Sequence, residues 1–194
     1  MGILISGLPQ AIEIDDVIYD INTDYQTCLR IIMAFEDNNL AAFEKINILI
    51  NLLYKETPHD FEQAYLKGIK FLDCGGSHED KDSCKIESAR LYSFEHDEKY
   101  IFSGVDKVLN GRLSKGDHVH WWEFVMAFME LPEDCTMSRI LYFRTQHSKG
   151  KLTKDEMRVW NENRELFELP ESLSYEEEQA KNKFMELLKN NSLS

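Results

Sequence analysis

Apolar positions along the chain change their spacing near residue 24. Before it, Ala11-Ile12-Glu13-Ile14 and Val17-Ile18-Tyr19-Asp20-Ile21 alternate by two on either side of Asp15-Asp16, a pattern that predicts a short β-hairpin. The turn lacks the Asn-Gly or Asp-Gly pair that most strongly marks such hairpins. After it, Tyr25, Cys28, Leu29, Ile32 and Phe35 fall at helical spacing, with Asp24 placed to cap and Asn38-Asn39 to stop a helix over about 25–37. From Leu40 to Tyr54 an apolar face of Phe43, Ile46, Leu49, Ile50 and Leu53 is backed by Ile48 and Leu52, as expected of a helix central in its bundle. Thr57-Pro58 is expected to open a third helix, with Phe61, Tyr65, Ile69 and Leu72 as its buried stripe and Gly75-Gly76 as its stop.

Residues 73–99 differ in kind. Eight acids and four bases with few apolar anchors before Leu91 predict an acidic mobile loop, because little apolar area offsets the entropy of ordering it. Helical spacing resumes at Ile101, Phe102, Val105, Val108 and Leu109 and ends at Asn110-Gly111. The segment from His118 to Met129 is the most apolar in the chain, and it predicts a core helix stopped near Leu131-Pro132. A short helix carrying Met137, Ile140, Leu141 and Arg144 follows. Thr153 with Glu156 and Ser174 with Glu177 have the spacing of capping boxes, and Ala180, Phe184, Leu187 and Leu188 form the stripe of the last expected helix. The expected fold is mainly α: a multi-helix bundle of about seven to eight helices with a short N-terminal β-hairpin. One helical domain, 1–194, is expected, with lobes at about 22–73 and 98–190 joined by an acidic loop at about 74–97.

Charge narrows the function classes. The chain has 22 Lys plus Arg against 35 Asp plus Glu, a net −13, so binding nucleic acid through phosphate contacts is not expected. No apolar run approaches a membrane span, and a basic secretory leader is not expected before Pro9. Met1-Gly2 through Ser6 matches a myristoylation pattern formally, without the nearby basic residues of a second membrane signal. Four cysteines in 194 residues suit a reducing compartment.

Candidate chemistry is sparse. Cys74, His78 and Cys84 are zinc-type donors, but the cysteines are ten apart with no obvious fourth ligand. Glu79, Asp80, Asp82 and Glu87 lack the glycine and spacing of a calcium loop. His118 and His120 diverge on a helix and chelate together only if extended; otherwise they bond free backbone groups at the helix start. Glu123, amid tryptophans, calls for a partner, with Arg139 or Arg144 as candidates. No nucleophile elbow or phosphate loop is present, so neither catalysis nor a cofactor is expected. A small metal-binding protein or hydrolase using His118/His120 or the Cys74/His78/Cys84 cluster, and an acidic DNA mimic, are the alternatives to a binding or assembly protein.

Two blocks carry a resemblance. Ile21-Asn22-Thr23-Asp24-Tyr25, Leu29-Arg30-Ile31-Ile32, Glu44-Lys45 and Leu49-Ile50-Asn51-Leu52-Leu53-Tyr54 form the first. His120-Trp121-Trp122-Glu123-Phe124, Leu131-Pro132-Glu133-Asp134-Cys135-Thr136, Ser138-Arg139-Ile140 and Tyr142-Phe143-Arg144 form the second. Over about 20–170 the chain resembles the phage protein-fifteen family of Listeria-type siphophages and Gram-positive prophages, most specifically at the tryptophan pair. In such phages the gene lies between those for the tail-tube protein and the tape-measure protein. The resemblance therefore implies an all-helical tail-assembly chaperone of the host bacterial cytoplasm, a homo-oligomer being allowed, that coats the tape-measure protein until tail-tube subunits replace it and is absent from the mature virion. A helix-in-groove contact would then use whatever part of Trp121, Trp122, Met126, Phe128 and Met129 the fold leaves exposed.

Overall fold

The computed structural model describes residues 3–76 and 91–170. Among these, nine helices and one two-stranded antiparallel sheet make a mainly α fold. A short α1 (Ile3–Ser6) precedes the hairpin of β1 (Ala11–Ile14) and β2 (Val17–Asp20). The first helical group is α2 (Tyr25–Glu36), α3 (Ala42–Leu53) and α4 (Phe61–Leu72). The second is α5 (Glu98–Val108), α6 (Trp121–Met129), α7 (Thr136–Ser148), α8 (Lys154–Glu162) and α9 (Arg164–Phe167).

The hairpin forms without glycine because Asp15 and Asp16, at φ 48° and 63°, both enter the left-handed region that a two-residue turn demands. Asp tolerates that region better than most residues, since its short polar side chain can bond locally. Ile14 is buried beneath the turn, and the second strand runs on into backbone pairing with the end of α3, where Lys55 N–H donates to Asp20 O and Asn22 N–H to Leu53 O. Lys67 of α4 donates to Glu13 O at 2.6 Å, fixing the ribbon to the helices.

Capping follows the sequence signals at α2, where Asp24 accepts from Gln26 and Thr27 N–H, and at α8, where Thr153 and Glu156 form the reciprocal box. Elsewhere the helices depart from expectation. Pro58 does not open α4: it is buried in the preceding loop, and Asp60 caps the helix by accepting from Glu62 and Gln63 N–H. Phe43 and Phe61, expected on buried stripes, are exposed on first helical turns. The buried face of α4 is Ala64, Gly68, Phe71 and Leu72, because α3 approaches too closely for a large side chain at its centre. A β-carbon on Gly68 would lie 2.8 Å from Leu49 Cδ2 and 3.1 Å from Leu53 Cδ2. The Ser174 box and the Ala180 to Leu188 stripe lie outside the described residues.

Part of the expected acidic loop is core. Within residues 91–97, Ser93 and Asp97 are buried, and Asp97 is 0% exposed. Its carboxylate accepts from both terminal nitrogens of Arg144, at 2.6 and 2.9 Å, and from Ser93 N–H. Arg144 also donates to the carbonyls of Leu91, Phe167 and Leu166, which occupies all five of its N–H groups. Residues 91–97 form loop and turn as expected, but the charge pattern of the segment conceals that one acid has a buried cation waiting in α7. Glu123, in turn, is bonded by Arg112 and not by Arg139 or Arg144.

Two outcomes follow for stability. Arg144→Met leaves a buried carboxylate without its cation and should lower the unfolding free energy by about 3–5 kcal/mol in urea denaturation. Adding Asp97→Leu should recover only part of this, because the carbonyls of Leu91, Leu166 and Phe167 still lose their donor. Gly68→Ala should lose about 1 kcal/mol, overpacking against the fully buried Leu49 and Leu53 outweighing the gain in helix propensity. Gly104→Ala crowds half-buried Leu131, which can turn aside, and meets Cys135 Sγ at an ordinary contact distance, so it should be close to neutral in the same measurement.

Candidate functional site: an apolar groove floored by the aromatic helix

Four residues before and within the first turn of α6 set the site. Tyr25 N–H donates to Val119 O at 3.0 Å, and Trp121 N–H donates to Thr23 O at 2.6 Å, a short antiparallel bridge between the starts of α2 and α6. His120 caps α6. Its Nδ1 accepts from Trp122 N–H at 3.0 Å, so the ring proton is on Nε2, which faces Pro9 O at 2.9 Å. Burial lowers the His120 pKa below the ordinary value, outweighing the opposing bond to Pro9 O. His120 thus bonds free backbone groups at the helix start, as expected, and it is not brought together with His118, which is exposed.

The tryptophan pair reaches across to the other helical group. Trp121 Nε1 donates to Leu72 O and Trp122 Nε1 to Phe71 O, each at 2.8 Å. These carbonyls belong to the last turn of α4, where the helix itself supplies too few donors. The indoles therefore act as a C-terminal cap delivered from a distant element. Trp121 is 2% exposed, and Trp122 lies over Phe71 and against the backbone of Gly75, whose φ of 81° suits glycine.

Holding α6 in this way leaves an apolar groove of about 760 Å³ along its other side. Ile32 and Phe35 of α2, Ile69 and Leu72 of α4 and Leu141 of α7 line it, and Tyr92 and Phe94 form a second wall beside Phe128. Trp121, Phe124, Val125, Phe128 and Met129 make the floor. Tyr92, Phe94 and Phe128 pack edge to face or tilted, with centroids 5.2–6.3 Å apart. Of the residues singled out in the sequence, Trp121, Phe128 and Met129 line this groove. Trp122 and Met126 do not, although Met126 is exposed elsewhere on α6. Ile32, Phe35, Tyr92, Phe94 and Leu141 were missed as lining residues. The alternation of Leu91, Tyr92, Ser93 and Phe94 is the signal that could have found the second wall.

Polar chemistry in the groove is limited. Burial raises the Cys74 thiol to about 11, with the charge of Asp73 adding to it, so it is held as the neutral thiol near pH 7 and is a weak nucleophile or ligand there. Burial, then the charge of Glu36, raises the Tyr92 phenol. His78 and Cys84, its proposed co-ligands, and the acids from Glu79 to Glu87 lie outside the described residues. No three His, Cys, Asp or Glu side chains among the described residues come together to hold a metal ion. No helix among them is long and apolar enough to cross a membrane.

A helical protein with one aromatic-floored groove is thus the setting for comparison with known proteins. The family model described as "Bacteriophage Gp15 protein" matches residues 4–169. The chain belongs to that family and is a bacteriophage protein. No curated protein and no solved structure matches it.

His120 makes stability depend on pH. Its folded pKa lies below the unfolded value, so the unfolded chain takes up the proton first, and the His120 contribution is complete above about pH 6.5 and declines as pH falls below that. Protonation would also aim Nδ1–H at the Trp122 N–H, destroying the cap. His120→Asn can still cap α6 but cannot titrate. Urea midpoints from pH 7 to 5 should fall less steeply for His120→Asn than for the parent chain; equal slopes would exclude His120 as the cause.

Proposed function

We propose that the protein is a non-catalytic tail-assembly chaperone that holds the phage tape-measure protein in the host cytoplasm until tail-tube subunits take its place. The observation that carries this reading is the apolar groove along α6. Its volume and its walls of Ile32, Phe35, Tyr92 and Phe94 suit the apolar stripe of a helix laid against it. Tape-measure proteins are long helical chains with such stripes, and they need cover before the tube encloses them. Family membership supports the phage setting. The acidic exterior supports the holding role, because like charge keeps a complex of apolar helices dispersed. Met129 supplies the most accessible part of the floor, being 76% exposed while lining the groove.

Co-expression with the tape-measure protein tests the reading. The parent chain should bring it into the soluble fraction and co-purify with it. Met129→Asp, which places a charge on an exposed position without disturbing the core, should reduce the recovered complex about tenfold with unchanged circular dichroism, the equivalent of about 1.4 kcal/mol. Purified virions should contain none of this chain by mass spectrometry. A tape-measure protein that ignores the parent chain, or binds Met129→Asp equally well, would refute the groove as the holding site.

A further inference from the structure

One hydroxyl on the groove wall is uncommitted. Tyr92 lines the slot with its ring edge to face against Phe94 and Phe128, at centroid distances of 5.3 and 5.2 Å, and its Oη bonds no group among the described residues. Other tyrosines spend theirs: Tyr54 donates to Ala64 O, Tyr142 to Glu156, and Tyr19 pairs with the His59 ring. Every fully buried side-chain nitrogen or oxygen among the described residues has a partner, so Tyr92 Oη, which has none, is not sealed off and can be reached by a ligand. Burial nonetheless withdraws the phenol partly from water, so a bond gained there meets less competition. Nothing else in the slot offers as much. The indole N–H of Trp121 is given to Leu72 O, Glu36 and Asp73 have interactions of their own, and the Cys74 thiol is a weak donor. The rest of the lining is hydrocarbon or, at Met129, a thioether.

An apolar stripe in an apolar slot has no preferred position, because burial has no direction, and a long helix could slide along it at little cost. A single polar pair inside such a contact removes that freedom, as one buried Asn fixes the register of a coiled coil at some cost in stability. Tyr92 is placed to be half of such a pair. The other half must be neutral, since charge is costly against apolar walls. It must also be free on its own helix: Ser and Thr turn back to their own i−4 carbonyls, whereas a carboxamide presents a donor and an acceptor outward. We propose that Tyr92 fixes the register of the helix held in the groove, by a hydrogen bond between its hydroxyl and one Asn or Gln carboxamide set within the partner's apolar stripe. This rests on the groove reading given above and names the chemistry of its partner.

The test uses the full chain and two synthetic helices of about 18 residues, about 27 Å long, one with an unbroken leucine stripe and one with Gln at the centre of that stripe. Tyr92→Phe keeps the ring packed on Phe94 and Phe128 and removes only the hydroxyl. In fluorescence anisotropy it should weaken the Gln helix about fivefold and leave the leucine helix within about twofold. A nitroxide at the peptide N-terminus should broaden one compact set of amide NMR signals when the Gln helix is bound, and a wider set with the leucine helix or with Tyr92→Phe. Met129→Asp should weaken both helices alike. If Tyr92→Phe changes the two affinities equally, register fixing is overturned and the groove reading stands. Binding of neither helix overturns both. Concentration-dependent self-association abolished by Met129→Asp would make a second copy of this chain the occupant. Tighter binding of both helices by Phe184→Asp would assign the groove to residues 171–194, which lie outside the described residues. Either of these last results overturns the proposal.

Discussion

The seating of the first turn of α6 is the constraint on which the rest of the structure depends. A helix this apolar could slide or rotate in a hydrophobic core, because burial energy has no direction. Hydrogen bonds remove that freedom. Within residues 119–122, Val119 O, Trp121 N–H, both indole nitrogens and the His120 ring meet partners in three separate stretches of the N-terminal half: Pro9, Thr23 with Tyr25, and the Phe71-Leu72 pair. Each bond is modest alone, about 1 kcal/mol net. Loss of any one, however, leaves a buried donor or acceptor without a partner, at about 1–3 kcal/mol. The register of α6 against α2 and α4 is therefore specified, and with it the position of Phe124, Val125 and Phe128 on the groove floor.

A second polar anchor does the corresponding work for the groove's far wall. Arg144 gathers residue 91, residue 97 and the end of α9 around one guanidinium, and Asp97 neutralises it. Tyr92 and Phe94 lie inside the stretch so tethered. Their rings can then face Phe128 across the slot without a helix or strand to hold them. Both anchors thus use planar groups with fixed donors, one N–H on each indole and five on the guanidinium, to bond backbone carbonyls. That arrangement leaves the apolar side of each segment available for packing or for a partner.

Much of this was legible in the chain because it depends on local rules. The hairpin about Asp15-Asp16, the cap at Asp24, the box at Thr153 and the Asn110-Gly111 stop, with φ values of 55° and 79°, all act within a few residues. Alternation and helical spacing then place the elements between them. The resemblance carried by the tryptophan block likewise agrees with the matching family. Errors arose where a local pattern had to be weighed against a distant neighbour. Phe61 looks more like a core residue than Gly68, until α3 is brought so close that only glycine fits. Asp97 looks like one more loop acid, until Arg144 arrives from 47 positions away. Glu123 likewise takes the nearer Arg112 over the arginines of α7.

Sequence alone determined the helical class, the hairpin, the concentration of aromatic residues between Trp121 and Phe128, and the acidic balance of the chain. These follow from periodicity and from charges that folding does not alter. Only tertiary structure decided which side of the aromatic helix is core and which is groove floor. Both faces of α6 carry large apolar residues, so the sequence pattern does not separate Trp121, Phe128 and Met129, which line the groove, from Trp122, which covers the end of α4. The choice is made by directional bonds to carbonyls 49 and 51 residues away.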